Sequence, residues 1–245
     1  MPLYGLIGYP LSHSFSKKYF NEKFEREGLT DYRYENFPIT SIDKLQEVFA
    51  ANPDLAGLNI TIPYKEQVLP FLHEQSEAVK QVGACNCIKI VDGRLYGFNT
   101  DVIGFEQTLD TKLQPHHKKA LVLGSGGASK AVQFVLMKKG IDFLVVSRGD
   151  NPLFISYNRL TTEILQEYTL IINTTPIGMQ PNKDVFPSID YAAISNRHYL
   201  YDLIYNPDKT LFLQKGEEMG AVIQNGAQML IIQADESWKI WNSKK

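Results

Sequence analysis

Cysteine is almost absent from this chain of 245 residues: only Cys85 and Cys87 occur, in the tripeptide CNC. Two thiols one residue apart are too close for an easy disulfide, and two alone do not complete a zinc site. They read as small packing residues, with redox chemistry the alternative. No apolar run approaches the roughly 18–20 residues of a membrane span. The opening MPLYGLIGYPLSHS lacks a basic stretch followed by a long apolar one, the pattern of a secretory signal. Both absences predict a cytoplasmic protein with no membrane partner. An excess of one charge is lacking too: 25 Lys and Arg against 27 Asp and Glu leave a net −2. Without a basic field, nucleic acid is not an expected partner. Internal repeats and low-complexity stretches are also missing, which leaves an ordinary globular chain.

What is present is 44% hydrophobic residues, enough for one large core or two modest ones. LYGLIG (3–8) reads as a buried strand, and 14–28 as a helix with Ser14 or Ser16 as cap and Gly28 closing it. Residues 32–37 alternate like a second strand, 41–49 have helical spacing, and LAGLNITI (55–62) is again strand-like. The stretch 65–72 is expected to be helical, with Pro70 as its kink or end. CIKIVDGRLYGF suggests a hairpin turning at Asp92-Gly93, and 102–116 a connecting helix. The second half restarts the pattern. Strands are expected at 119–124, 142–148, 169–176 and 198–207, and helices at 128–139, 209–219 and 228–241. Alternation of strand and helix throughout predicts an α/β fold. The restart near 102–119 is the sequence's one sign of a domain boundary. An edge strand near the N-terminus offers a surface on which two copies could pair as a homodimer.

Between the strand KALVLG and the following helix lies GSGGAS (124–129). Glycines there allow a tight bend and close approach of phosphates to the backbone. The amides and dipole at the helix start then favour a pyrophosphate. A plain strand-to-helix turn without ligand is the alternative. The next strand ends in Ser147 and Arg148. A carboxylate there would hold a ribose diol, whereas a guanidinium suits a 2′-phosphate, so the reading is NADP. An ordinary surface arginine has the same look, and Asp150 leaves room for NAD.

Two polar blocks lie upstream, NITIPYK (59–65) and GFNTD (97–101). Lys65 and Asp101 are candidates for proton chemistry. Asn59, Thr61, Asn86, Asn99 and Thr100 offer neutral donors and acceptors that suit a polyhydroxylated ligand.

Taken in order, these blocks resemble those of the shikimate dehydrogenases over nearly the whole chain. GYPLSHSFS (8–16), NITIPYK, GACNCI (83–88), GFNTD, GSGGAS, NTTPIGM (173–179), YDLIYNP (201–207) with Thr210, and NGAQMLIIQ (225–233) carry the resemblance. It implies that Ser14 and Ser16 hold a substrate carboxylate. Asn59, Thr61, Asn86, Asp101 and Gln233 would bind ring hydroxyls with Tyr205 nearby, and Lys65 paired with Asp101 would be catalytic. It further implies that Gly124, Gly126, Gly127 and Ala128 cradle the pyrophosphate and that Ser147 and Arg148 meet the 2′-phosphate. Thr174, Thr175, Pro176, Gly226 and Met229 would line a nicotinamide pocket. No metal is implied.

The implied fold is an α/β pair of domains with a cleft between them. Residues 1–101 plus 226–245 would bind substrate, and 102–225 would form a Rossmann-like NADP-binding domain. The implied reaction is NADPH-dependent, reversible reduction of 3-dehydroshikimate to shikimate. Departures from the family pattern are Lys17 and Phe20-Asn21 after the serines, Cys87 in place of Thr, Gly149 in place of Thr, and Gln228 in place of Gly. None touches Lys65 or Asp101. Rival readings are a quinate/shikimate dehydrogenase using NAD and a non-catalytic NADP-binding sensor.

Overall fold

Strand, helix and turn follow from local chemistry, most plainly at Asp92-Gly93. Both residues have positive φ (50° and 72°), the conformation of a two-residue hairpin turn between right-twisted strands. The structure is a computed structural model that describes residues 1–11, 15–149 and 153–243. The chain divides into two units: Met1–Thr100 with Gln233–Lys245, and Asp101–Ile232. Among the described residues no helix is long and apolar enough to cross a membrane.

Unit 1 begins β1 (Leu3–Gly8), α1 (Phe15–Arg26), β2 (Arg33–Pro38), α2 (Leu45–Ala51) and β3 (Leu55–Ile60). It continues through β4 (Glu74–Gln75), α3 (Glu77–Val82) and the hairpin β5 (Cys87–Val91) and β6 (Arg94–Phe98). The sheet order is β2-β1-β3-β5-β6-β4. β1 runs parallel to β2 and β3, while β5 is antiparallel to both β3 and β6. The all-buried pattern of β1 marks it as an interior strand covered on both faces. One face is covered by an aromatic cluster of Tyr4, Phe20, Phe24 and Tyr34 with Trp241. Tyr4 stacks on Trp241 with centroids 4.7 Å apart. The indole lies so close to the sheet that a Cβ at Gly57 would overlap it, and its Nε1 donates to the Ile88 carbonyl at 3.0 Å.

The second unit starts with α4 (Thr100–Asp110), whose first residue still counts with unit 1. It runs through β7 (Lys119–Leu123), α5 (Gly127–Lys138), β8 (Asp142–Ser147), β9 (Ile155–Ser156), α6 (Thr162–Glu167) and β10 (Leu170–Asn173). β11 (Tyr199–Asp202), α7 (Leu211–Glu218) and β12 (Val222–Gln224) follow, and α8 (Ala227–Asn242) begins in unit 2 and counts with unit 1 from Gln233 on. The sheet order β12-β11-β10-β7-β8-β9 is parallel throughout. Strand order reverses between β7 and β10, the place where doubly wound sheets open a crevice at their strand ends. The expected α/β class therefore holds for both units.

The expected helix over 65–72 does not form. The described chain there makes turns and one 3₁₀ stretch, Leu69–Phe71. The Lys65 carbonyl, which a helix would need, instead accepts the Cys85 amide at 2.8 Å. α4 also stops at Asp110, short of the expected end near 116.

Candidate active site

In unit 1 the sequence-predicted polar residues lie where β3 and β5 meet. Asn59 and Asn86 are buried, and the Ile60 amide donates to the Asn86 carbonyl at 2.9 Å. Asn59 Nδ2 donates to the Asn86 carbonyl at 3.3 Å and to Ser237 Oγ at 2.9 Å. Its Oδ1 accepts the Tyr34 hydroxyl at 2.9 Å. Asn86 Oδ1 accepts the Thr100 amide at 2.7 Å, and Asn86 Nδ2 donates to Thr100 Oγ1 at 3.0 Å. Gln233, on α8, offers its Oε1 to the Thr100 hydroxyl at 3.5 Å. Asn59, Asn86 and Gln233 therefore belong to one buried hydrogen-bonded cluster. Its other members, Tyr34, Thr100 and Ser237, are 1%, 0% and 0% exposed, so the cluster is built to be rigid. Ser16, at the start of α1, is buried. Ser14 lies outside the described residues.

Thr61 and Lys65 sit just past the end of β3. The Thr61 amide donates to the Ile7 carbonyl at 2.9 Å, and the Thr61 carbonyl accepts the Tyr64 amide at 2.9 Å. Buried Tyr64 pins the same turn from below, its hydroxyl donating to the Ile39 carbonyl at 2.6 Å. Together with the Cys85 amide, these bonds fix the backbone on both sides of the half-buried Lys65. Asp101 stands in the first turn of α4 and counts with unit 2. Cys85 and Cys87 are buried thiols that form no disulfide, and burial pushes the Cys87 thiol well up, as expected of packing residues.

In unit 2 the glycine turn follows β7. Gly124 has φ +109°, and a Cβ there would come within 2.7 Å of Thr174 Oγ1 and 2.9 Å of Thr175 Cγ2. Thr174 closes the contact, its amide and hydroxyl both donating to the Leu123 carbonyl at 2.9 and 2.8 Å. Gly126 is the N-cap of α5 with no side chain capping the first turn, and a Cβ on it would meet nothing within 4 Å. An uncapped helix start behind open space fits a phosphate group. Arg148 is exposed immediately after β8, beside the half-buried Ser147. These residues fit a dinucleotide carrying an extra phosphate. Asp150 lies outside the described residues.

Thr175, Tyr205 and Gly226 are held by a second buried network centred on Asp202, which is 0% exposed. The Asp202 carboxylate accepts from Asn173 Nδ2 at 3.0 Å, the Ile204 amide at 3.0 Å and the Thr210 hydroxyl at 2.6 Å. Burial pushes Asp202 up to about 7 against the pull of those donors. Asn173 Oδ1 in turn accepts the Thr175 amide at 3.1 Å and hydroxyl at 2.6 Å. The Gly226 amide donates to the Ile204 carbonyl at 3.0 Å, and a Cβ at Gly226 would overlap the Leu203 carbonyl. Asn225 ties the start of α8 to the loop carrying Tyr205 through Asp208 at 2.6 Å. Thr174, Thr175, Tyr205, Gly226 and buried Met229 are thus all in unit 2, on or after the C-terminal ends of its strands. Pro176 is exposed beside them.

Sequence reading missed Tyr34, Ser237, Asp202 and Asn173. The one available signal was polar residues closing otherwise apolar strands, as in LIIN and YLYD.

Fold and site together define a class: a two-domain α/β protein, one unit a doubly wound parallel sheet with a glycine turn, the other a mixed sheet with a buried amide cluster. Residues 6–88 match the family model of the shikimate dehydrogenase substrate binding domain. The NADP(+) shikimate dehydrogenase of Methanosphaera stadtmanae is 34% identical over 260 residues, covering 98% of this chain and 91% of that protein. The crystal structure of shikimate dehydrogenase from Aquifex aeolicus superposes with a TM-score of 0.88 at 33% identity, covering 99% and 92% of the two chains. That of the Thermus thermophilus enzyme in complex with NADP(H) and shikimate gives 0.87 at 29% identity, covering 99% and 94%. The chain belongs to the shikimate dehydrogenase family.

Proposed function

We propose that this chain is a cytoplasmic NADP-dependent shikimate dehydrogenase, an oxidoreductase that interconverts 3-dehydroshikimate and shikimate on the route to chorismate and the aromatic amino acids. The observation that carries the reading is the full-length relationship to the Methanosphaera enzyme, with the polar blocks and the glycine turn in one order. Residues 1–101 with 226–245 hold the substrate, and 102–225 hold the dinucleotide.

In this reading Ser14 and Ser16 take the substrate carboxylate. Asn59, Thr61, Asn86 and Gln233 take its ring hydroxyls, and Tyr205 supplies a further hydroxyl contact. Amides and hydroxyls suit these partners because they bind hydroxyl groups without a buried charge to desolvate. Gly124, Gly126, Gly127 and Ala128 present backbone to the pyrophosphate, and Ser147 and Arg148 meet the 2′-phosphate. Thr174, Thr175, Pro176, Gly226 and Met229 line the nicotinamide side. The chemistry that bound NADPH supplies is a hydride to the ketone carbon. Lys65 donates a proton to the oxygen that develops negative charge as the carbonyl is reduced, and takes it back in the reverse direction. Asp101 orients the Lys65 ammonium.

The test follows absorbance at the reduced-nicotinamide band with purified protein and four pairs: shikimate or quinate, each with NADP or NAD. Turnover confined to shikimate with NADP supports the reading. Turnover with quinate and NAD reassigns the chain within the family, and no turnover with any pair while NADPH still binds makes it a sensor.

A further inference from the structure

We propose that Asp202 is a positioning residue for the dinucleotide: one of its carboxyl oxygens sets the place of the loops after β10 and β11 and of the start of α8, on the nicotinamide side. The proposal rests on the reading of the chain as an NADP-dependent dehydrogenase.

Asn173 and Asp202 are the last residues of β10 and β11 and stand opposite each other in the register of that parallel pair. Their side chains meet, Asn173 Nδ2 donating to Asp202 Oδ1 at 3.0 Å. The other Nδ2 proton goes to the Ile177 carbonyl at 3.3 Å. Asn173 Oδ1 takes both the amide and the hydroxyl of Thr175. A turned-over amide would set its NH2 against the Thr175 N–H and its oxygen against Asp202 and the Ile177 carbonyl, so one orientation alone fits. The Thr175 hydroxyl also accepts the Ile177 amide at 3.2 Å. With that hydroxyl turned to Asn173, Thr175 carries its methyl toward the glycine turn, 2.9 Å from the point that a Cβ on Gly124 would occupy.

The same Asp202 Oδ1 accepts the Ile204 amide at 3.0 Å, and the Ile204 carbonyl accepts the Gly226 amide at 3.0 Å. One oxygen therefore gathers Thr175 and Gly226, both assigned to the nicotinamide side, from separate segments of the chain. Oδ2 is used apart from this, by the Thr210 hydroxyl. Burial pushes the acid up to about 7, a cost that an apolar residue would avoid. What the acid supplies is an acceptor with no N–H of its own, which cannot face its three donors the wrong way round. Any proton it takes up belongs on Oδ2, where the Thr210 oxygen can receive it, and Oδ1 goes on accepting from both N–H groups.

The experiment is isothermal titration calorimetry of the full chain carrying Asp202→Ala or Asp202→Asn, with two ligands. NADPH reaches the nicotinamide side, whereas adenosine 2′,5′-bisphosphate carries the 2′-phosphate end and no nicotinamide. Asp202→Ala is expected to weaken NADPH binding about tenfold, the size of one buried hydrogen bond, and to weaken the bisphosphate by less than about twofold. Asp202→Asn keeps an oxygen for Asn173 and Ile204 and turns its NH2 to the Thr210 oxygen. Its NADPH affinity is therefore expected within about threefold of wild type. Equal losses for the two ligands would mean general damage and overturn the proposal. Unchanged NADPH affinity in Asp202→Ala, or Asp202→Asn as weak as Asp202→Ala, would overturn it too. Should Asp202→Ala fail to fold, Asn173→Ala cuts the link to Thr175 and leaves Asp202 its bonds to Ile204 and Thr210. NADPH weakened about fivefold with the bisphosphate unchanged is then expected, and unchanged NADPH affinity overturns the proposal. The wild-type chain separates the two claims. No binding of NADPH removes the functional reading and this proposal with it, whereas NADPH binding and shikimate turnover, with equal NADPH affinity in Asp202→Ala, removes the proposal alone.

Discussion

The Thr210 hydroxyl donates to the buried Asp202 carboxylate at 2.6 Å and accepts the Leu213 amide, the bond that caps α7, at 3.4 Å. One side chain thus stabilises a helix start and a buried acid together. Thr210→Val keeps the shape and removes both bonds. The expected loss is about 1–3 kcal/mol, combining a buried hydrogen bond to the carboxyl group with a lost cap. Urea unfolding at neutral pH measures it, and a loss under about 0.5 kcal/mol would show the network to be dispensable.

Gly57 faces the Trp241 indole with no room for a methyl group. Gly57→Ala is expected to push the indole from its place over Tyr4 and stretch its bond to the Ile88 carbonyl. Overpacking of this kind costs about 1–3 kcal/mol. A lowered melting midpoint with a red-shifted tryptophan emission is the expected result; an unmoved emission spectrum would mean that the sheet yields instead.

His117 is locked as a neutral ring. Its Nδ1 accepts the Gln114 amide at 2.9 Å while Nε2 faces the Arg197 carbonyl at 3.2 Å, which calls for a donor there. Burial, with His116 close by, lowers His117 to about 4. A depressed value in the folded chain contributes stability that is fully present above the ordinary pKa of 6.5 and is lost as pH falls through about 4. His117→Asn can still accept the amide but cannot titrate. The wild type should lose on the order of 2 kcal/mol more than this variant between pH 7 and pH 4, after allowance for solvent screening. Paired urea titrations at the two pH values check it, and parallel losses would refute it.

Lys65→Ala is expected to reduce kcat by about 10²–10⁴-fold with a smaller change in KM, since a proton donor acts mainly in the transition state. A large rise in KM at constant kcat would make Lys65 a binding residue.

Arg148→Ala should raise the KM for NADPH by roughly an order of magnitude, the scale of a lost charge-assisted bond to phosphate, and leave that for NADH nearly unchanged. Equal losses for both nucleotides would remove the 2′-phosphate role.

Much of the fold was legible because its signals are local. Asp92-Gly93 between alternating apolar residues, glycines after helices, and the apolar runs of β7, β10 and β11 each announce an element without reference to the rest. The stretch after Lys65 misled because its backbone partner is Cys85, twenty residues on and invisible to periodicity. α3 and α6 escaped notice because six-residue helices show too little period, although Ser76 and Thr161 cap them in the ordinary way. The site was legible only as separate polar blocks. Tyr34, Asn59, Thr100 and Ser237 come from four distant segments, and what joins them is a set of individual hydrogen bonds, which no spacing records.

Residues from Gln233 onward complete unit 1, although all of unit 2 separates them from residue 100. Synthesis on the ribosome proceeds from the other end. The first hundred residues therefore emerge with no Trp241 for Tyr4 to stack on and no Ser237 for Asn59. Their aromatic face stays open while the parallel-sheet unit is translated. The last helix is thus the latch of the domain made first, and a chain truncated before it displays that uncovered face to the quality-control machinery of the cell.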